Sequence, residues 1–474
     1  MLASRSVRPD RVIGLRWWAA FGCATVVAVG CSSAPRPATT TAPKSPCTII
    51  ATGAAPAETI SVAAAAPIDP AHVPSPANGA ERFVFAQLYE TLIDVDCEGH
   101  AHPGLAKSWT LDASRTRITL TIRDGARFWN GKPVVASDVV TAWRATGGQS
   151  TEPSQLALRV ANGTTILDDH TLTVSLSDTA WRVLAVPTLA VYQPQSGPAW
   201  AEGTSRYRVD AQSSRGGLLL APTWSSSDPQ LSIRPLRTND ARDAIDRGID
   251  VLVTDDPIAI AYATPRPNLT AVPLPWSRTY VVAIPHVAPA DTELLRPMLG
   301  DSASAFRASL ARDAVRIEAR GAEMPAWWAD VQTCASPGPR GQVQPASGQR
   351  PLRIAYDAAD RVARRLAERV VALDSRAAAT PLAADAFARA LHDGSQSAYV
   401  LAVPRASLDP CYDAAKLVAS APWLVANDPG SPSAPPTIVP LVDTRDRAIV
   451  NRAHVSATID WDGTLRFGGT TRAP

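Results

Sequence analysis

Apolar residues recur along this chain at two spacings, every second position in some stretches and every third or fourth in others. Ile60–Ala63, residues 116–123 (Thr-Arg-Ile-Thr-Leu-Thr-Ile-Arg) and residues 171–176 alternate, so each predicts a strand with one buried face. Asn78–Leu92 sets Phe83, Val84, Leu88 and Leu92 at helical spacing and predicts a helix. Ser137 predicts the cap of a helix over Asp138–Arg144, because a hydroxyl satisfies free N–H groups at a helix start. Downstream the pattern predicts helix Ala241–Arg247 ended by Gly248, strand Ile249–Val253, helix Ala303–Ala319, strand Leu352–Tyr356 and helix Ala358–Ala372. It continues with the short helix Phe387–Leu391 and strand Ser397–Val403. Residues 336–351 and 428–436, rich in Pro with Gly or Ser, read as loops. Strands and helices interleave throughout, which predicts mixed α/β domains.

The N-terminus carries a different pattern. Arg5, Arg8, Arg11 and Arg16 precede the apolar stretch Trp17–Gly30, 14 residues long. A spanning helix needs about 20, so residues 1–30 read as a secretion signal. Ala28-Val29-Gly30-Cys31 resembles a bacterial lipobox, in which the Cys is lipidated and becomes the new N-terminus. Residues 31–56, with several prolines and hydroxyl residues early on, read as a lipidated flexible tether. The expected location is extracytoplasmic, anchored by Cys31 to the bacterial cell membrane or to the periplasmic face of the outer membrane.

Composition narrows the rest. With 46% hydrophobic and 19% charged residues the chain is globular, and a net charge of +2 gives no pull toward nucleic acid. The length, 474 residues, exceeds a single core and predicts two or three domains. Beyond Cys23 and Cys31 there remain Cys47, Cys97, Cys334 and Cys411, an even set in an oxidising compartment. Their order along the chain favours disulfides Cys47–Cys97 and Cys334–Cys411, while the absence of Cys-x-x-Cys weighs against a metal site. There is no Gly-x-Ser-x-Gly, no His-Glu-x-x-His and no phosphate-cradling Gly-rich loop. No catalytic residue, metal or cofactor is therefore assigned.

Several ordered motifs carry a resemblance. They are Leu88-Tyr-Glu-Thr-Leu92, Gly104-Leu-Ala-Lys-Ser-Trp109, the segment Arg123-Asp-Gly-Ala-Arg-Phe-Trp-Asn-Gly131 and Ala136-Ser-Asp-Val139. Leu167-Asp-Asp-His-Thr-Leu-Thr-Val174, Arg247-Gly-Ile-Asp-Val251 and Ile438-Val-Pro-Leu441 follow in the same order. Together they resemble family 5 extracellular solute-binding proteins, the receptors of peptide and nickel ABC importers. The resemblance implies a two-lobed periplasmic-binding-protein type II-like α/β fold with mixed sheets and an interlobe cleft. It implies lobe I over 57–265 with a subdomain near 100–165, lobe II over 266–436, and a return to lobe I over 437–474. It also implies a peptide or other small-molecule ligand, ABC permease partners and a monomer. The candidate ligand contacts are Thr254, Asp255 and Asp256 after the strand at 249–253, Trp276 and Arg278 at the crossover, and Asp409. Trp224 and Trp327-Trp328 are weaker candidates for a cleft wall. The family pattern near Asp409-Pro410 normally includes a Trp and an ammonium-binding Asp, whose places fall on Val403 and Ala406. A buried ammonium without a carboxylate is costly. This departure keeps open an alternative: a divergent binding-fold lipoprotein acting in envelope assembly or regulation through protein contacts.

Overall fold

The computed structural model describes residues 46–53, 57–148, 152–176, 180–195, 200–213, 217–236, 241–285, 296–298, 302–315, 319–323, 326–334, 352–425 and 437–467. The expected signal segment, Cys31 and the loops expected at 336–351 and 428–436 lie outside the described residues. None of the described helices is long and apolar enough to cross a membrane.

Two large sheets organise the fold. The first has seven strands, in the spatial order Leu269–Pro273, Arg447–Asn451, Val251–Thr254, Thr59–Ala64, Gln230–Pro235, Leu218–Pro222 and Tyr207–Val209. Its three central strands, beginning at residues 251, 59 and 230, are parallel. The second has six strands, in the order Ala319–Arg320, Thr437–Thr444, Arg278–Ile284, Ala398–Pro404, Leu352–Asp357 and Ala377–Leu382. Both are covered on two faces, as buried mixed sheets must be. In the second, Tyr280, Val282 and Ile284 pack under the helices Ala303–Leu310 and Arg361–Val371, while Val281 and Ala283 face Trp328, Leu391 and Trp423 on the other side. Alternate residues of one strand thus feed two cores.

A four-stranded sheet, Ala106–Leu111, Arg117–Ile122, Thr171–Ser175 and Thr164–Ile166, builds the subdomain with helices Ala136–Gly147 and Glu152–Asn162. It extends past the expected end at 165, because Thr171–Ser175 pairs with Arg117–Ile122 and Val183–Val191 enters the same core. The resembling motifs converge here. Arg123 donates to Gly104 O at 2.6 Å and to the Glu90 carboxylate at 3.0 Å. Trp143, fully buried, donates to Leu189 O at 2.7 Å.

Several boundaries move. The helix expected over Asn78–Leu92 is Gly79–Leu88, capped by Asn78 Oδ1, and Tyr89 turns extended so that Glu90 bridges Val191. Ser137 caps nothing; the Asp138 carboxylate accepts the Val135 N–H at 3.0 Å and closes a helix that starts at Ala136. The expected helix 303–319 is α-helical only over Ala303–Leu310, followed by a π turn at Ala311–Val315. The expected tether ends early, because Thr48–Ile49 pairs with Ala457–Thr458 and Cys47 bonds Cys97. Lobe I runs to 273 rather than 265, since Leu269–Pro273 pairs with Arg447–Asn451. The return to lobe I begins after 444 rather than at 437, since Thr437–Thr444 pairs with Arg278–Ile284 in the second sheet. Both disulfides are present, with Cα separations of 5.4 and 4.9 Å. The second ties the helix Pro410–Ser420 to the helix Ala326–Cys334.

Candidate functional site

The chain crosses between the two sheets twice, at 274–277 and 445–446. The crossings run side by side: Leu274 N–H donates to Asp446 O at 3.1 Å and Ser277 N–H to Thr444 O at 3.2 Å. A two-stranded ribbon of this kind bends more readily than a packed sheet, which is the build of a hinge. Trp276 sits on this ribbon between two guanidinium groups, Arg320 at 4.4 Å and Arg445 at 4.5 Å from its ring centre. Each stacking adds on the order of 0.5–2 kcal/mol depending on how dry it is.

Five of the six ligand-contact candidates, Trp276 among them, meet at this hinge. Thr254 ends a central parallel strand, and its hydroxyl accepts the Asp256 N–H at 3.0 Å. Asp256 caps the helix Pro257–Ala263 through Ile258 N–H at 2.9 Å. Arg278 pairs with Asp446 and lies 3.7 Å from Asp255. Arg361, the first residue of a lobe II helix, reaches across to Asp255 at 3.7 Å and Asp256 at 3.5 Å. Burial opposes the charge on Arg278, but Asp446, Tyr280 and Asp255 outweigh it and hold the guanidinium firmly protonated. The carboxyl ends of parallel strands are where open α/β sheets place their ligands. Here that edge carries two carboxylates already engaged by arginines from the hinge and from lobe II.

The other candidates have different roles. Asp409 caps the helix Pro410–Ser420 through Cys411 N–H at 3.0 Å, and its described hydrogen bonds are all local. Trp328 is 1% exposed and packs in the core, while Trp224 is 52% exposed. Trp327 donates its indole N–H to Asp413 at 2.9 Å.

Asp413 went unnoticed in the sequence and is notable in the structure. It is 2% exposed, and it accepts the N–H of Ala406, where the resemblance implies a carboxylate, at 3.1 Å. Burial pushes its carboxyl up to about 7, against the pull of Trp327, the Ala406 N–H, Lys416 and Arg405. Beside it, Arg405 is lowered by burial and lies over the Trp461 ring at 5.7 Å. Tyr412 and Trp461 share the subdomain core with Leu408 packed against it, so this turn of lobe II rests directly on lobe I. Arg361, Asp446 and Arg405 carried no sequence signal, because each gains its meaning from a partner distant in the chain.

Comparison with known proteins agrees with this geometry. Residues 100–214 match the family of bacterial extracellular solute-binding proteins, family 5 Middle. The periplasmic oligopeptide-binding protein OppA of Escherichia coli is 30% identical over 117 residues, 21% of this chain and 21% of its own. The curated relatives are covered over 12–23% of their length. The Escherichia coli murein tripeptide binding protein MppA superposes with a TM-score of 0.56 at 16% identity, covering 85% of this chain and 95% of that one. NikA of Brucella suis in complex with Fe(III)-EDTA gives 0.59 at 14% identity, covering 86% and 100%. The fold is the two-lobed periplasmic-binding-protein fold. Within that fold, residues 100–214 carry the middle segment of the family 5 extracellular solute-binding proteins.

Proposed function

We propose that the protein is a lipid-anchored extracytoplasmic receptor that binds a peptide-like or other small solute and delivers it to an ABC importer. The reading rests on one observation above all: among the described residues, two chain crossings join the two lobes, with the carboxyl ends of lobe I strands facing lobe II at the hinge. Relatives named for oligopeptides and nickel support this class of solute. The protein works by binding rather than by catalysis, and no cofactor or metal is invoked. Residues 1–31 support export and lipid attachment at Cys31. Thermal shift against pools of short peptides and metal complexes tests the binding claim. A ligand at about 100 times its dissociation constant adds roughly 2.7 kcal/mol, and no stabilisation by any pool would count against the reading. Cys31→Ala tests the anchor separately, with loss of membrane association after a high-salt wash as the expected result.

A second reading has its own support. Ala406 stands where the family carries its ammonium-binding Asp, and Arg405, Leu408 and Tyr412 pack against lobe I. Such contacts suit a binding fold that has turned to protein partners in envelope assembly or regulation. Crosslinking that recovers one partner in stoichiometric amount, together with no ligand response, would favour it.

A further inference from the structure

A cavity of about 600 Å³ lies away from the hinge, on the outer edge of the seven-stranded sheet, and every residue lining it belongs to lobe I. Its apolar walls include Trp129 and Trp200, and its polar groups include Glu202, Asp210, Asn130 and Arg208. The walls are fixed. Trp129 donates its indole N–H to Ser205 O at 3.1 Å and its ring packs 6.0 Å from Tyr89. A Cβ on Gly203 would come within 2.4 Å of the Trp129 ring and 2.1 Å of Leu88 O, so glycine there lets the indole lie close. Trp200 meets Phe85 edge-on at 6.2 Å. Asn130 donates to Gln193 Oε1 at 2.9 Å, and Gln193 N–H donates to Glu202 O at 2.9 Å, tying this rim together.

Within this frame Glu202 is unusual. Its Oε2 is buried and has no hydrogen-bond partner. The nearby Tyr89 hydroxyl donates instead to Ala201 O at 3.2 Å. Burial raises the Tyr89 hydroxyl, and the Glu202 charge pushes it further in the same direction. Among the described residues no cation is paired with Glu202. An uncompensated buried carboxylate oxygen costs free energy, and indole faces attract cations.

We propose that this cavity binds an organic cation: a primary ammonium or guanidinium carried on an apolar body. The cationic head would meet Glu202 while the body lies against Trp129 and Trp200. The site is independent of the interlobe reading and stands if that reading fails.

The test is calorimetric titration of the purified protein with n-hexylammonium, with n-hexanol as the neutral control. Hexylammonium should bind the wild type and bind Glu202→Gln at least tenfold more weakly, while hexanol should not distinguish the two. Trp200→Leu should weaken both probes. Without probe, Glu202→Gln should melt at or above the wild-type temperature, because it removes a charge that lacks a partner. Absence of hexylammonium binding, equal affinity in Glu202→Gln, or a lowered melting temperature for that variant would each overturn the proposal. The last would show that the carboxylate already serves the fold.

Discussion

The hinge and the lobe I cavity each gather carboxylates beside aromatic rings, and they treat the charge in opposite ways. At the hinge, Asp255, Asp256 and Asp446 face Arg278 and Arg361. In the cavity, Glu202 Oε2 has no partner. Asp413 stands between these cases, held by two N–H donors yet dominated by burial. A charge satisfied within the chain stabilises one arrangement of the lobes. A charge left unsatisfied costs stability until something else supplies its counterpart. The contrast therefore separates carboxylates that shape the molecule from one poised to recognise.

Asp413 gives the largest expected effect. Its folded value, about 7, exceeds the ordinary 3.8 of the unfolded chain. The folded protein thus holds this proton more tightly, and this group's contribution to stability falls as pH rises from 3.8 to about 7, then levels off. A shift of this size corresponds to at most about 4 kcal/mol. Asp413→Asn keeps an acceptor for Trp327 and no longer titrates. The stability difference between variant and wild type should therefore grow in the variant's favour across that window, followed by urea denaturation at a series of pH values. A flat difference from acid to neutral pH would mean that Asp413 is better compensated than its burial indicates.

Arg278→Met comes next. It leaves Asp446 and Asp255 without their hinge cation in a partly buried setting, where a broken pair costs a few kcal/mol. Because Arg278 retains some exposure, a loss of about 2 kcal/mol is expected, read as a lower urea midpoint. Pairing it with Asp446→Asn in a double-mutant cycle isolates the coupling. A cost below about 0.5 kcal/mol, the level of a surface pair, would erase the contrast between hinge and cavity.

The sequence exposed lobe I far better than the hinge, for physical reasons. Alternating runs such as Arg117–Ile122 and apolar stripes such as the one after Asn78 carry their signals within a few residues, and both elements form there, though the Asn78 helix ends at Leu88 rather than at Leu92. The family motifs around Glu90, Gly104 and Arg123 were visible as sequence because they form one local network. The two crossings were misplaced by several residues because local periodicity does not reveal which sheet a strand joins. Thr437–Thr444 reads as an ordinary strand and joins the lobe II sheet through Arg278–Ile284 and Ala319–Arg320, both far earlier in the chain. Asp255, Asp256 and Arg278 were visible as candidates, but Arg361 and Asp446, which satisfy them, were not. Glu202 was equally hidden, because its distinguishing property is a missing partner, and absence leaves no mark in a sequence.

The smallest effect is the most informative about motion. Arg361 is 56% exposed and stands 3.5–3.7 Å from Asp255 and Asp256, so its pairs add no more than about 0.5–1 kcal/mol. Arg361→Ala should scarcely move the denaturation midpoint. Its position matters more than its strength, since it joins a lobe II helix to the end of a lobe I strand across the hinge. In solution the variant should populate a more open form, seen as a larger radius of gyration by small-angle scattering. High salt should do the same to the wild type, because at about 1 M the screening length falls to roughly 3 Å, shorter than these ion pairs. If neither the variant nor salt changes the radius, the lobes are held by the Arg405, Leu408 and Tyr412 contacts with lobe I rather than by charge. In that event, opening would require breaking an apolar contact, and the acidic edge at Asp255 would be a fixed part of the hinge.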